Sequence, residues 1–123
     1  MKTSITLGNS SLQVPRMGIG ALTWGKPSLL GCLTLGRLVY GRSESPQEEE
    51  GALEVSLAAG INLIDTAEMY GNGASERRVG ELARGRDVIF ATKFPPSSWS
   101  QLGAFPKALE ASLRRLQRDY IDL

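Results

Sequence analysis

The chain has 123 residues, 41% of them hydrophobic, and 14 Gly bring the apolar share to about half, as in a core-forming protein. At about 0.8 of a typical domain, that length is one compact unit or a piece of a larger one. Its 14 basic and 13 acidic residues leave +1 with no dense basic block, which argues against a binder of nucleic-acid backbone. The absence of His excludes His-bearing zinc sites, Ser-His-Asp triads and Cys-His pairs within the chain. Proton transfer therefore falls to Asp, Glu, Lys, Tyr or Cys. A single Cys32 forms no intrachain disulfide, so a reducing compartment is expected. The N-terminus carries no signal-like apolar run, and the stretch from Leu29 to Tyr40 contains Arg37 and is too short to span a bilayer. A soluble, cytoplasmic protein is expected, with no metal, membrane or nucleic-acid partner.

In chain order, Ile5 and Leu7, a Gly8-Asn-Ser-Ser11 turn, then Leu12 and Val14 read as a short hairpin ended by Pro15. The run from Met17 to Leu22 is small and apolar, as in a strand buried on both faces. Residues 26–43 match neither the helical nor the strand period and are expected to be an irregular insertion. Ser45-Pro46-Gln47-Glu48 combines capping-box spacing with Pro at the first helical position, and Glu48, Glu49 and Glu50 suit the positive end of the helix dipole. Ala52, Leu53, Val55, Leu57 and Ala59 supply an apolar face, and Gly60 the stop.

The pattern then alternates. Residues 61–64 form a strand ending at Asp65, and a helix follows over about 75–84 with Val79, Leu82 and Ala83 inward. Residues 88–91 form a strand ending in Thr92-Lys93. The next helix has Phe105, Leu109, Leu113 and Leu116 on one face, and the last strand begins near Tyr120. Alternation of this kind implies a parallel sheet covered by helices. Strand starts near 61, 88 and 119 are spaced close to the roughly 31 residues per unit of a TIM (β/α)8 barrel. The expected fold is thus α/β, an N-terminal barrel portion of a hairpin, about four strands and three helices. It reads as one partial domain over residues 1–123, halted within its fourth strand. Ile19, Leu63 and Ile89 are expected to face the barrel interior.

Active residues of such barrels gather at the C-terminal strand ends, where Asp65 and Lys93 stand on neighbouring strands about 4.8 Å apart. Tyr70 lies in the loop after Asp65 and can turn back over the barrel mouth. A phenol beside an ammonium is a usable general acid, because the ammonium stabilises the phenolate by about 4 kcal/mol at 4 Å and an effective dielectric near 20. Asp65 would orient the Lys. Taken singly, Asp65 can equally cap a turn, Lys93 can be a solvated strand end, and Tyr70 can be a rim aromatic. Gly71-Asn72-Gly73 before a helix can bind phosphate but more often is simply a turn. Gly18-Ile-Gly20 lacks the third Gly of a dinucleotide-binding fingerprint, and no P-loop occurs.

The run Ile61-Asn-Leu-Ile-Asp-Thr-Ala-Glu-Met-Tyr-Gly71, followed by Ser75-Glu76-Arg77-Arg78-Val79-Gly80, resembles the aldo-keto reductase signature. Met17-Gly-Ile-Gly20, Ala91-Thr-Lys93 and the segment from Leu113 to Leu123 resemble the family's flanking blocks. The resemblance implies NADP(H)-dependent reduction of aldehydes or ketones, with a small carbonyl substrate. By position it makes Tyr70 the proton donor, Lys93 its activator and Asp65 the partner of Lys93. It sets Gly20, Ala21 and Leu22, with Asp65, on the nicotinamide side of the cofactor. Ala21 stands where Thr is often found and lacks that hydroxyl. The family's catalytic His follows the fourth strand, so it is expected shortly after Leu123, along with most remaining cofactor contacts. The 123 residues alone are expected to be inactive. The alternatives are a cofactor-sensing, partner-binding subunit like the potassium-channel β-subunits, or a truncated product without function.

Overall fold

The computed structural model describes residues 4–26, 44–95 and 104–123. Its elements are β1 (Ser4–Thr6), β2 (Gln13–Pro15), β3 (Ile19–Gly20), α1 (Pro46–Ala58), β4 (Leu63–Asp65), α2 (Ala74–Leu82), β5 (Ile89–Ala91) and α3 (Ala104–Leu116). The insertion expected over 26–43 lies outside the described residues apart from Lys26. β1 and β2 form the antiparallel hairpin, with Ile5 opposite Val14. β3, β4 and β5 form a parallel sheet in that order, each strand beside the next in sequence, as in the wall of a (β/α) barrel.

The expected fourth strand appears as a single pairing. The Leu123 N–H donates to the Phe90 carbonyl, and the Thr92 N–H donates to the Leu123 carbonyl, which is the slanted bonding of a parallel neighbour. β3 is shorter than expected, and its flanks are not buried on both faces. Met17 is exposed because the chain is still approaching the sheet there, and Leu22 is exposed because it has already left.

Register decides which way each side chain points. Ile19 pairs with Ile64, which pairs with Phe90, so these three share the helix-facing side. Ile19 therefore packs against the core cluster instead of facing the barrel interior, whereas Leu63 and Ile89 share the opposite face as expected. The core cluster joins Ile64 and Phe90 to Leu53 of α1, Val79 and Ala83 at α2, and Leu116 of α3, with Ala21, Trp24 and Val88 beside them.

The helices form for the local reasons their sequences suggest. The Ser45 hydroxyl accepts the Glu48 N–H, and the Glu48 carboxylate accepts the Ser45 N–H at 2.7 Å, completing the capping box before Pro46. In α1, Leu53 is buried and Leu57 partly so, but Val55 is exposed, because α1 contacts the core along a narrow stripe only. Glu49 is also buried, in contrast to a carboxylate merely facing the helix dipole. It accepts the Gly25 N–H at 2.7 Å and Arg78 Nε at 2.6 Å, tying α1 to α2 and to the loop after β3. In α3 the buried row is Ala108, Ser112 and Leu116, while Phe105 and Leu109, on the neighbouring i, i+4 row, are exposed.

α2 and α3 approach closely at Gly80, where a Cβ would stand 2.6 Å from the Leu116 carbonyl oxygen. Gly80→Ala gains about 1 kcal/mol of helix propensity but forces two backbones apart, an overpacking cost of about 1–3 kcal/mol. A net loss of stability is expected on thermal unfolding. Gly51→Ala, in the open middle of α1 where a Cβ meets nothing within 4 Å, is expected to raise it. Equal midpoints for the two variants would contradict this packing account.

Candidate active site

Alternation along the strands brings the candidate residues to one face. Gly20 pairs with Asp65, and Asp65 with Ala91, so all three share the inner side. Lys93, two residues past Ala91, returns to that side. Backbone bonds prolong the pairing beyond the regular strands, from Ala21 N–H to the Asp65 carbonyl, Thr66 N–H to the Ala91 carbonyl, and Glu68 N–H to the Lys93 carbonyl, each 2.9 Å. The segments that carry Asp65 and Lys93 are therefore anchored rather than free.

On this frame Lys93 Nζ donates to Asp65 Oδ1 at 2.5 Å and to the Thr66 carbonyl at 2.9 Å. It also lies 5.2 Å from the centroid of the Tyr70 ring, within cation–π range. Asp65, Tyr70 and Lys93 thus come together, and Asp65 is engaged by Lys93 rather than left to cap a turn. Both charged side chains are 50% exposed, so water screens the field and the 4 kcal/mol expected from Coulomb's law is an upper bound.

Gly20 and Leu22 are exposed beside this group, and a Cβ built at Gly20 meets nothing within 4 Å. Ala21 differs from them. It is fully buried, its methyl belongs to the core cluster, and its carbonyl accepts the Ser75 hydroxyl. A missing hydroxyl at position 21 is thus set in the core of this chain.

Gly71-Asn72-Gly73 is a turn. All three have positive φ (57°, 55° and 80°), a conformation in which Gly is unstrained. A Cβ at Gly73 would lie 2.5 Å from Arg115 Cδ, so the start of α2 is covered by an arginine of α3.

Thr66, Ser75, Glu76, Thr92 and Arg115 organise the site and were not legible as such. Ser75 and Glu76, in the first turn of α2, are fully buried, as is Thr66. Ser75 Oγ donates its one proton to the Ala21 carbonyl at 2.5 Å, so the Thr66 hydroxyl donates to Ser75 Oγ at 2.8 Å. Glu76 Oε1 accepts Thr92 Oγ1 at 2.7 Å, and Oε2 accepts Arg115 Nε at 2.5 Å. The adjacent pair thus holds the ends of β3, β4 and β5. A Ser-Glu pair opening a helix was the visible signal, but its partners lie 9 to 54 residues away in sequence.

A family model for the aldo/keto reductase family matches residues 16–123. The chloroplastic pyridoxal reductase of Arabidopsis thaliana is 37% identical over 125 residues, covering 91% of this chain and 32% of its own length. A probable voltage-gated potassium channel subunit beta of Oryza sativa subsp. japonica is 29% identical, covering 95% of this chain and 34% of its own length. Among solved structures, an aldo/keto reductase from Klebsiella pneumoniae in complex with NADP and acetate superposes with a TM-score of 0.74 at 32% identity, over 99% of this chain and 38% of that one. The chain spans about a third of the length of the curated relatives it matches. Signature loop, strand order and these matches agree on an N-terminal portion of a TIM barrel, and the chain belongs to the aldo/keto reductase family.

Proposed function

We propose that this chain supplies the proton-donating corner of an NADPH-dependent reductase that converts aldehydes or ketones to alcohols. One observation carries the reading: the Lys93 ammonium bridges Asp65 at 2.5 Å and the face of the Tyr70 ring, 5.2 Å from its centroid. In this reading the Tyr70 hydroxyl gives its proton to the carbonyl oxygen as negative charge develops there. Lys93 stabilises the phenolate left behind, and Asp65 with the Thr66 carbonyl fixes where the ammonium sits. NADPH, when bound, supplies the hydride. The exposed Gly20 and Leu22, with open space above Gly20 and Asp65 alongside, are the residues that would border the nicotinamide, and buried Ala21 supports them from beneath. Support for this cofactor comes from the NADP bound in the Klebsiella structure.

The test is NADPH oxidation with short aldehydes. It is run on the 123-residue chain and on the same residues fused to the remaining two thirds of a relative's barrel. The fused barrel is expected to turn over and the short chain is not. A fused barrel that binds NADPH without oxidising it would overturn the reductase reading. That result is the one expected of the second reading, a cofactor-binding subunit that docks on a partner, which the potassium-channel relative favours.

A further inference from the structure

A carboxylate with no exposed surface must have its charge and lone pairs satisfied by the protein. Glu76 is such a group, and it divides its two oxygens between Arg115 and the Thr92 hydroxyl. Thr92 sits at the end of β5, where its hydroxyl can otherwise bond to water. Instead it donates into α2, while its N–H is held by the Leu123 carbonyl. Both the side chain and the backbone of Thr92 are thereby fixed, and Lys93 is the next residue. The direction in which the Lys93 side chain leaves the strand is set at this point. Ser75 holds the other end of the same arrangement, through Thr66, whose carbonyl accepts the Lys93 ammonium at 2.9 Å. A lysine side chain carries about 2 kcal/mol of rotamer entropy, so a fixed root narrows what Asp65 must otherwise restrain alone.

We propose that Glu76 is a positioning residue for Lys93, acting through the Thr92 hydroxyl. The catalytic consequence rests on the proposed role of Lys93, but the positioning itself does not. The test uses the whole chain and reads the acylation rate of Lys93 by an N-hydroxysuccinimide ester, resolved by mass spectrometry. Lys107, exposed on α3, serves as the internal reference. Thr92→Val keeps the shape and removes the donor, and the Lys93-to-Lys107 ratio is expected to rise about fivefold, the weight of one net hydrogen bond. Thr92→Ser restores the donor and is expected to return the ratio to that of wild type.

Should Thr92→Val lose its cooperative unfolding transition, Glu76→Asp takes its place. It keeps the charge opposite Arg115 but withdraws the carboxylate from Thr92, and the ratio is expected to rise likewise. A ratio unmoved in the folded variant overturns the proposal, as does a rise that Thr92→Ser fails to reverse. If the ratio moves as expected but Lys93→Met leaves turnover of the fused barrel intact, the positioning stands and the reductase assignment of Lys93 fails.

Discussion

Tyr70→Phe is expected to lower carbonyl turnover of the fused barrel by about 10²–10⁴-fold, the usual share of a general acid. The substitution is narrow. Phe keeps the ring that Lys93 faces, and the turn that carries residue 70 is set by backbone bonds from Tyr70 N–H to the Ala67 carbonyl and from Ser75 N–H to the Tyr70 carbonyl. Only the proton source is removed. NADPH affinity, read by fluorescence titration, is expected to stay within about twofold, because the hydroxyl is assigned to the reacting oxygen and not to cofactor binding. Turnover near that of wild type in Tyr70→Phe would sink the assignment. A parallel loss of NADPH affinity would instead point to a collapsed loop.

The largest effect on stability is expected at Glu76. Removing one partner of a buried ion pair strands the other, at a cost of about 3–5 kcal/mol. In Glu76→Ala both the Arg115 guanidinium and the Thr92 hydroxyl lose their acceptor. Arg115 is 18% exposed at its side chain and has Glu68 3.6 Å away, so part of its charge is recovered. The lower end of the range, about 3 kcal/mol, is therefore expected. Against a total of about 5–15 kcal/mol for a domain, this leaves the variant marginal. Urea unfolding of Glu76→Ala and Glu76→Gln checks it, the amide being expected to cost less because it still accepts a hydrogen bond. A loss below about 1 kcal/mol in Glu76→Ala would show that the cluster is replaceable by water.

Those two effects differ in how far the chain announces them. The proposed acid-base group is legible because strand-end placement follows from period alone: Asp65 ends one apolar run, Lys93 follows the next, and both return to the same face. The signature loop marks Tyr70. The capping box at Ser45 and Glu48 is equally local, since donor and acceptor are three residues apart. Such features need only the neighbouring chain.

What only the tertiary structure decided involves pairs distant in sequence. The turn of Ile19 toward the helices depends on its register with Ile64, and a slip of one residue would reverse it. The burial of Ala21, Glu49 and Glu76 depends on groups brought in by other elements: Ser75 and the core cluster for Ala21, Arg78 and Gly25 for Glu49, Thr92 and Arg115 for Glu76. In sequence these glutamates look like any solvated carboxylates at a helix start, because burial of a charge is favourable only once its partner is already in place. Local periodicity therefore fixes which side chains stand at the strand ends. The long-range polar contacts of α2 with β3, β4, β5 and α3 fix how firmly those strand ends are held.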